Sequence, residues 1–131
     1  MEDPELLLKR YFMAMNTGNS EDAVALFAED AVRLDTATPD HQVIGKAQIA
    51  KGIAARINDN IHIEASDFEA QDNHARCLAK VWTDYGRRMG FAPVIETAQI
   101  VVKDRMIQRF TVTVTPESLN RIRDAEAEHL R

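Results

Sequence analysis

An α+β domain is the fold class this sequence predicts, and three observations predict it. The first half of the chain repeats its apolar residues at helical spacing. The second half switches to alternation with a period of two. Short turn signals divide the alternating segments. Helices followed by consecutive strands on short loops imply a curved antiparallel sheet with the helices packed on one face. Such a sheet, closed by its N-terminal helices, makes a cone with an internal pocket suited to a small ligand.

Each element has a local cause. Asp3 is placed to cap a first helix that has Pro4 at its first position. Leu7, Leu8, Tyr11, Phe12 and Met15 recur at helical spacing, and Asn16-Thr17-Gly18-Asn19 stops the helix. Ser20 caps a second helix, with Glu21 and Asp22 in its first turn and Ala23, Val24 and Phe27 on its apolar face. Residues 31–36 read as a strand, and 36–42, containing Pro39, as a turn or short loop. Gly45 precedes a third helix over about 46–57, where Ile49, Ile53 and Ile57 repeat every four residues. Four strands follow at 61–70, 75–85, 91–103 and 106–115, separated by Asp72-Asn73, residues 85–90 and Lys103-Asp104. Thr115 caps a polar C-terminal helical tail, 116–131, with a thin apolar stripe of Leu119, Ile122 and Ala125. A helix this polar lies on the surface or packs across a subunit boundary.

Composition bounds the function. A length of 131 residues fits one domain, 1–131, with a real core. The net charge of −5 argues against a nucleic-acid or acidic-membrane surface. Cys77, the single cysteine, forms no internal disulfide and reads as an inert buried thiol. No apolar run of about 18 residues is present to span a bilayer, and Met1-Glu2-Asp3-Pro4 lacks the basic start of a signal peptide, so a cytoplasmic location is expected. His41, His62, His74 and His129 are too dispersed for a metal site, and none is expected. His62 reads as a surface strand histidine or, less simply, as an acid/base residue.

Three residues carry candidate chemistry. Asp35 closes the apolar run Ala31, Val32, Leu34. It either points into the cone as a partly desolvated base or ends the strand in water. Tyr11 is either a hydroxyl donor to a ligand oxygen or a core aromatic bonded to a strand. Glu96 alternates with Val94, Ala98, Ile100 and Val102 on an apolar face, so it is an inward carboxyl or a strand-end residue in solvent. Met15, Phe27, Phe68, Val81, Tyr85, Glu96 and Phe110 are expected to line the pocket. In the strand 75–85 the odd positions fit the concave face, which leaves Trp82 outside among charges. That placement suggests a homodimer through the sheet face, whereas the opposite parity makes Trp82 a pocket wall. Arg109 enters the pocket if the last strand turns its odd residues inward, and an inward arginine favours an anionic ligand.

The segment RYFMAMNTGNSEDAVALFAEDAVRLD, residues 10–35, resembles the ketosteroid isomerase branch of the nuclear transport factor 2-like superfamily, the SnoaL-like group, with its cystatin-like fold. Tyr11 and Asp35 match without a gap the helix-1 tyrosine and following-strand aspartate that carry chemistry in that branch. The resemblance implies a proton-transferring aspartate, an oxyanion-holding tyrosine and a second, protonated acid after an Ala-Pro pair. Ala92-Pro93 supplies the pair, but Ile95 or Ala98 falls at the acid position, and Glu96 fits neither register. The chain therefore departs from the family at the third residue. One function that follows is an isomerase, cyclase or dehydratase on a small apolar carbonyl compound, with Asp35 as base, Tyr11 as oxyanion donor and no cofactor. The other is a non-catalytic ligand-binding or dimerisation module of the same fold.

Overall fold

The computed structural model describes residues 3–37 and 42–130. Its elements run α1 (Pro4–Asn16), α2 (Ser20–Ala25), β1 (Phe27–Asp35), β2 (Gln42–Ile44), α3 (Lys46–Asn58), β3 (His62–Gln71), β4 (His74–Trp82), α4 (Asp84–Met89), β5 (Val94–Lys103), β6 (Met106–Val114) and α5 (Pro116–His129). The architecture is α+β, with one curved, unclosed sheet of order β2-β1-β6-β5-β4-β3. All neighbours are antiparallel except β1 and β6, which run parallel in the body of the sheet. The curved, mainly antiparallel sheet matches the expected fold class, and the parallel pair brings the first long strand against the last.

The helix caps follow the local chemistry. The Asp3 side chain accepts from the Glu5 N–H at 3.0 Å, with Pro4 at the first position of α1. Leu7, Leu8, Tyr11, Phe12 and Met15 form its buried face. The Asn16 side chain then clamps the backbone of β3. Its amide donates to the Ile63 carbonyl at 2.8 Å, and its oxygen accepts from the Ile63 N–H at 2.7 Å. The α2 cap is Asn19 rather than Ser20, because the Asn19 side chain accepts from the Asp22 N–H at 3.1 Å.

Other boundaries differ from the sequence expectation for tertiary reasons. Phe27 belongs to β1, not to the face of α2, because it pairs with Ile107 across the parallel ladder. Gln42–Ile44 forms a short, exposed edge strand against β1, within and beyond the loop expected at 36–42. Pro39 and His41 lie outside the described residues. The strand expected to reach residue 85 ends at Trp82, since the Thr83 hydroxyl accepts from the Gly86 N–H at 3.0 Å and opens α4. Gly90 closes α4 at φ +85°, a left-handed conformation that suits glycine. A cis Ala92–Pro93 bond then leads into β5.

Bulges interrupt the β1–β6, β3–β4 and β5–β6 registers. Such irregularities bend strands and increase twist, which suits a sheet curving round α1. The core fills one end of the cone with Leu8, Met15, Phe27, Ile49, Ile53, Ile100 and Ile107. The C-terminal helix does not project as a tail. Ser118 is buried and its hydroxyl accepts from the Ile95 N–H at 2.9 Å, while Leu119 and Ile122 pack on the core. Among the described residues, no helix is long and apolar enough to cross a membrane.

Candidate active site

The other end of the cone is hollow. A cavity of about 210 Å³ lies between the concave sheet face, α1, α3 and α5. Its walls are mostly apolar, with Phe12, Ile61, Ile63, Val81, Val112 and Ile122 among them. Among the described residues, five titratable side chains face it, Tyr11, Arg33, Asp35, Arg56 and Glu96, together with the hydroxyl-bearing Thr83.

Strand parity explains most of this set. In β1 the inward positions run Ala31, Arg33, Asp35, so the carboxylate comes with an arginine one pleat away. Arg33 sits opposite Phe110 in the ladder, and Asp35 opposite Val112. In β5, Val94, Glu96 and Ala98 point inward, with Glu96 paired to Ala79 on one side and Val114 on the other. Glu96 is thus an inward carboxyl, flanked by apolar side chains. Tyr11 descends from α1, with its ring 4.7 Å from that of Phe110. Arg56 comes from α3, one turn beyond Gly52, where the helix has no side chain. A methyl at Gly52 would lie 3.4 Å from Arg56 Nη2, an ordinary contact, so the guanidinium runs alongside the glycine.

The electrostatics are unusual for so apolar a wall. Arg33 Nη2 lies 3.6 Å from Asp35 Oδ2, and its guanidinium stacks over the Phe110 ring at 5.1 Å. Asp35 Oδ1 accepts from the Ala37 N–H at 2.9 Å. Burial pushes the Glu96 carboxyl up to about 7. The Arg33 guanidinium opposes that rise, Asp35 adds to it, and Arg56 again opposes it. Burial, and then the like charge of Arg33, lowers the pKa of Arg56. The neighbouring Cys77 thiol is pushed up to about 12 by burial and by Glu96, which makes it unreactive. Arg33 Nε and Arg56 Nη1 are buried without a hydrogen-bond partner among the described residues.

The expected lining residues divide. Val81, Glu96 and Phe110 line the cavity, as do Tyr11 and Asp35. Met15 and Phe27 do not, because both are packed solid in the closed end of the cone. Phe68 lies apart from it, edge-on to Phe12 and beneath the Lys9 ammonium. Tyr85 belongs to α4 and is exposed, donating its hydroxyl to Glu126 at 2.8 Å. Arg109 is exposed, because β6 turns Phe110, Val112 and Val114 inward. Trp82 is on the outer side of β4, half-buried beside His62, which is itself an exposed residue 3.6 Å from Glu64. No cluster of three or more potential metal ligands occurs among the described residues.

Arg33 and Arg56 are the residues that sequence reasoning missed. Both left a signal. Arg33 shares its parity with Asp35, so an inward Asp35 requires an inward Arg33. Arg56 follows Ile49, Gly52 and Ile53 on one helix face at steps of three and four.

Comparison with known proteins agrees with this fold. A family model described as a SnoaL-like domain matches residues 8–111. A candidate polyketide cyclase from Sinorhizobium meliloti superposes with a TM-score of 0.69 at 24% identity, covering 82% of this chain and 93% of that one. A candidate ketosteroid isomerase from Kribbella flavida gives 0.70 at 18% identity over 86% and 77% of the two chains. A computationally designed 17-OHP binder gives 0.75 at 15% identity over 90% and 95%. At these identities the structural likeness establishes the fold alone. No curated protein matches the sequence.

Proposed function

The chain belongs to the SnoaL-like domain family, and from that premise we propose that it is a cofactor-independent acid/base enzyme: an isomerase, cyclase or dehydratase that moves a proton at a carbon beside a carbonyl. The observation that carries this reading is the convergence of Tyr11, Asp35 and Glu96, from three separate elements, on one apolar cavity. Two carboxyls in unlike surroundings suit opposite halves of a proton transfer. Asp35, held by the Ala37 N–H and beside Arg33, is the base. Glu96, raised to about 7, retains a proton to donate near neutral pH. The Tyr11 hydroxyl donates to the oxygen on which charge develops. Glu96 in this way supplies the second acid that the family register places elsewhere.

The cavity also limits the substrate. At about 210 Å³ it is below the roughly 300–1,000 Å³ of pockets that enclose drug-sized ligands. A small carbonyl compound suits it better than a polycyclic skeleton.

The test is deuterium exchange at the carbon beside the carbonyl of a small cyclic enone, followed by NMR. Asp35→Asn is expected to slow exchange by roughly 10²–10⁴-fold, the usual range for a general base, while leaving binding intact. Unchanged exchange in that variant removes Asp35 as the base. No exchange by the wild-type protein on any bound carbonyl compound favours a non-catalytic binding module.

A further inference from the structure

The mechanism uses Arg33 only beside Asp35 and gives Arg56 no part, yet both arginines are costly to keep buried. Arg33 is 7% exposed. Its contacts with Asp35 and Phe110 leave Nε without an acceptor among the described residues, and Arg56 Nη1 is in the same position. A buried donor on a charged group that lacks an acceptor is strongly unfavourable, and both residues line one cavity. The Arg33 guanidinium is held by stacking on Phe110, and that of Arg56 runs beside Gly52 on its own helix. Planar donors of this kind are suited to carboxylate oxygens.

We propose that the cavity takes a small carboxylate with an apolar tail, its carboxylate bound by Arg33 Nε and Arg56 Nη1. The substrate class is then a short carbonyl-bearing carboxylic acid. The carbonyl rests on the enzymatic reading above, whereas the carboxylate rests on the arginines alone.

The charge balance supports this. Facing the cavity are Tyr11 from α1, Arg33 and Asp35 from β1, Arg56 from α3 and Glu96 from β5. The walls from β3, β4, β6 and α5 add no charge: they present Ile63, Ala79, Val81, Phe110, Val112, Val114 and Ile122. Among the described residues, with Glu96 protonated there are two cations and one carboxylate, so one further anion balances them. With Glu96 ionised these charges already balance. A bound carboxylate and an ionised Glu96 therefore compete, and affinity falls as pH rises through about 7. Inorganic phosphate, mainly a monoanion at pH 6, has more oxygens to satisfy than a carboxylate and no apolar tail, and finds few further partners on apolar walls.

Calorimetry with hexanoate, its neutral isostere hexanamide and inorganic phosphate tests the proposal. At pH 6 the wild-type protein is expected to bind hexanoate roughly tenfold or more tighter than hexanamide, in line with charge-assisted hydrogen bonds, and to bind phosphate weakly. The preference is expected to shrink at pH 8.5. Arg56→Met, checked for its fold by circular dichroism, is expected to lose the preference. Arg33→Met is expected to do the same, but it also strands Asp35 and is secondary. Equal affinity for the two hexanoyl ligands at pH 6, tighter phosphate binding, no binding of either hexanoyl ligand at millimolar concentration, or an undiminished preference in a folded Arg56→Met protein overturns the proposal. Each readout is independent of enone exchange. Exchange without a carboxylate preference defeats only the ligand assignment, and a preference without exchange defeats only the catalytic one.

Discussion

The same strands build both ends of the cone, yet the two ends obey different rules. Along β1 the inward side chains pass from Phe27 and Ala31 to Arg33 and Asp35. Along β5 they pass the other way, from Glu96 through Ala98 to Ile100 and Val102. At the closed end Phe27, Ile100 and Ile107 are fully buried beside Leu8, Ile49 and Ile53, all apolar side chains. At the open end, four groups that bear or can bear charge share an apolar hollow, and two of their donors lack partners among the described residues. The packed end stabilises the fold by area removed from water. The hollow end gives up packing, and keeps charges out of water, for the sake of binding. The same hydrogen-bonded strands run through both ends, so the packing of the closed end sets where the groups of the open end sit.

The largest expected effect breaks the closed end. Phe27→Ala should lower stability by about 3–5 kcal/mol, the usual range for a buried aromatic, read by urea unfolding. The folded fraction should retain its carboxylate preference. Loss of that preference in the folded protein would mean that the ends are not separable.

The next effect isolates the open end. An unfolded Glu96 ionises around 4.5 and the folded one around 7. Between those values the unfolded chain releases its proton first, so stability falls as pH rises and the loss is complete above about 7. The difference corresponds to roughly 3 kcal/mol at most. Glu96→Gln should flatten this slope and leave the protein more stable than wild type at pH 8, but not at pH 4. Parallel wild-type and variant stability curves would show that Glu96 is better solvated than its surroundings imply.

The smallest effect concerns the lid of the hollow. Ser118→Ala leaves the Ile95 N–H without its 2.9 Å acceptor beside Glu96. It should cost about 1–3 kcal/mol, as for a buried donor left unpaired, with faster amide exchange in α5. No change in exchange would mean that Ile122 and Leu119 alone hold α5.

How much of this was legible in the chain depended on the range of the interaction concerned. Asp3 and Pro4, the 3.6-residue stripe of α1, and the alternation of β4 from Ala75 to Val81 are local and could be read directly. The parity of Glu96 with Val94 and Ala98 was legible as well, though not its direction. Tyr85 and Phe27 were misplaced because a cap at Thr83 and a ladder to Ile107 outweighed the local pattern.

The sequence by itself determined the α+β class and the starts of α1, α3 and α5, because caps and periodicity act between near neighbours, while the pairing of Tyr11 with Asp35 came from the resemblance of residues 10–35 to a known family. Only the tertiary structure decided that β1 lies parallel to β6, and that Arg56, Glu96 and Arg33 share a cavity with Asp35. Those juxtapositions join groups on β1, α3 and β5, and they exist only once the sheet has curved and removed them together from water.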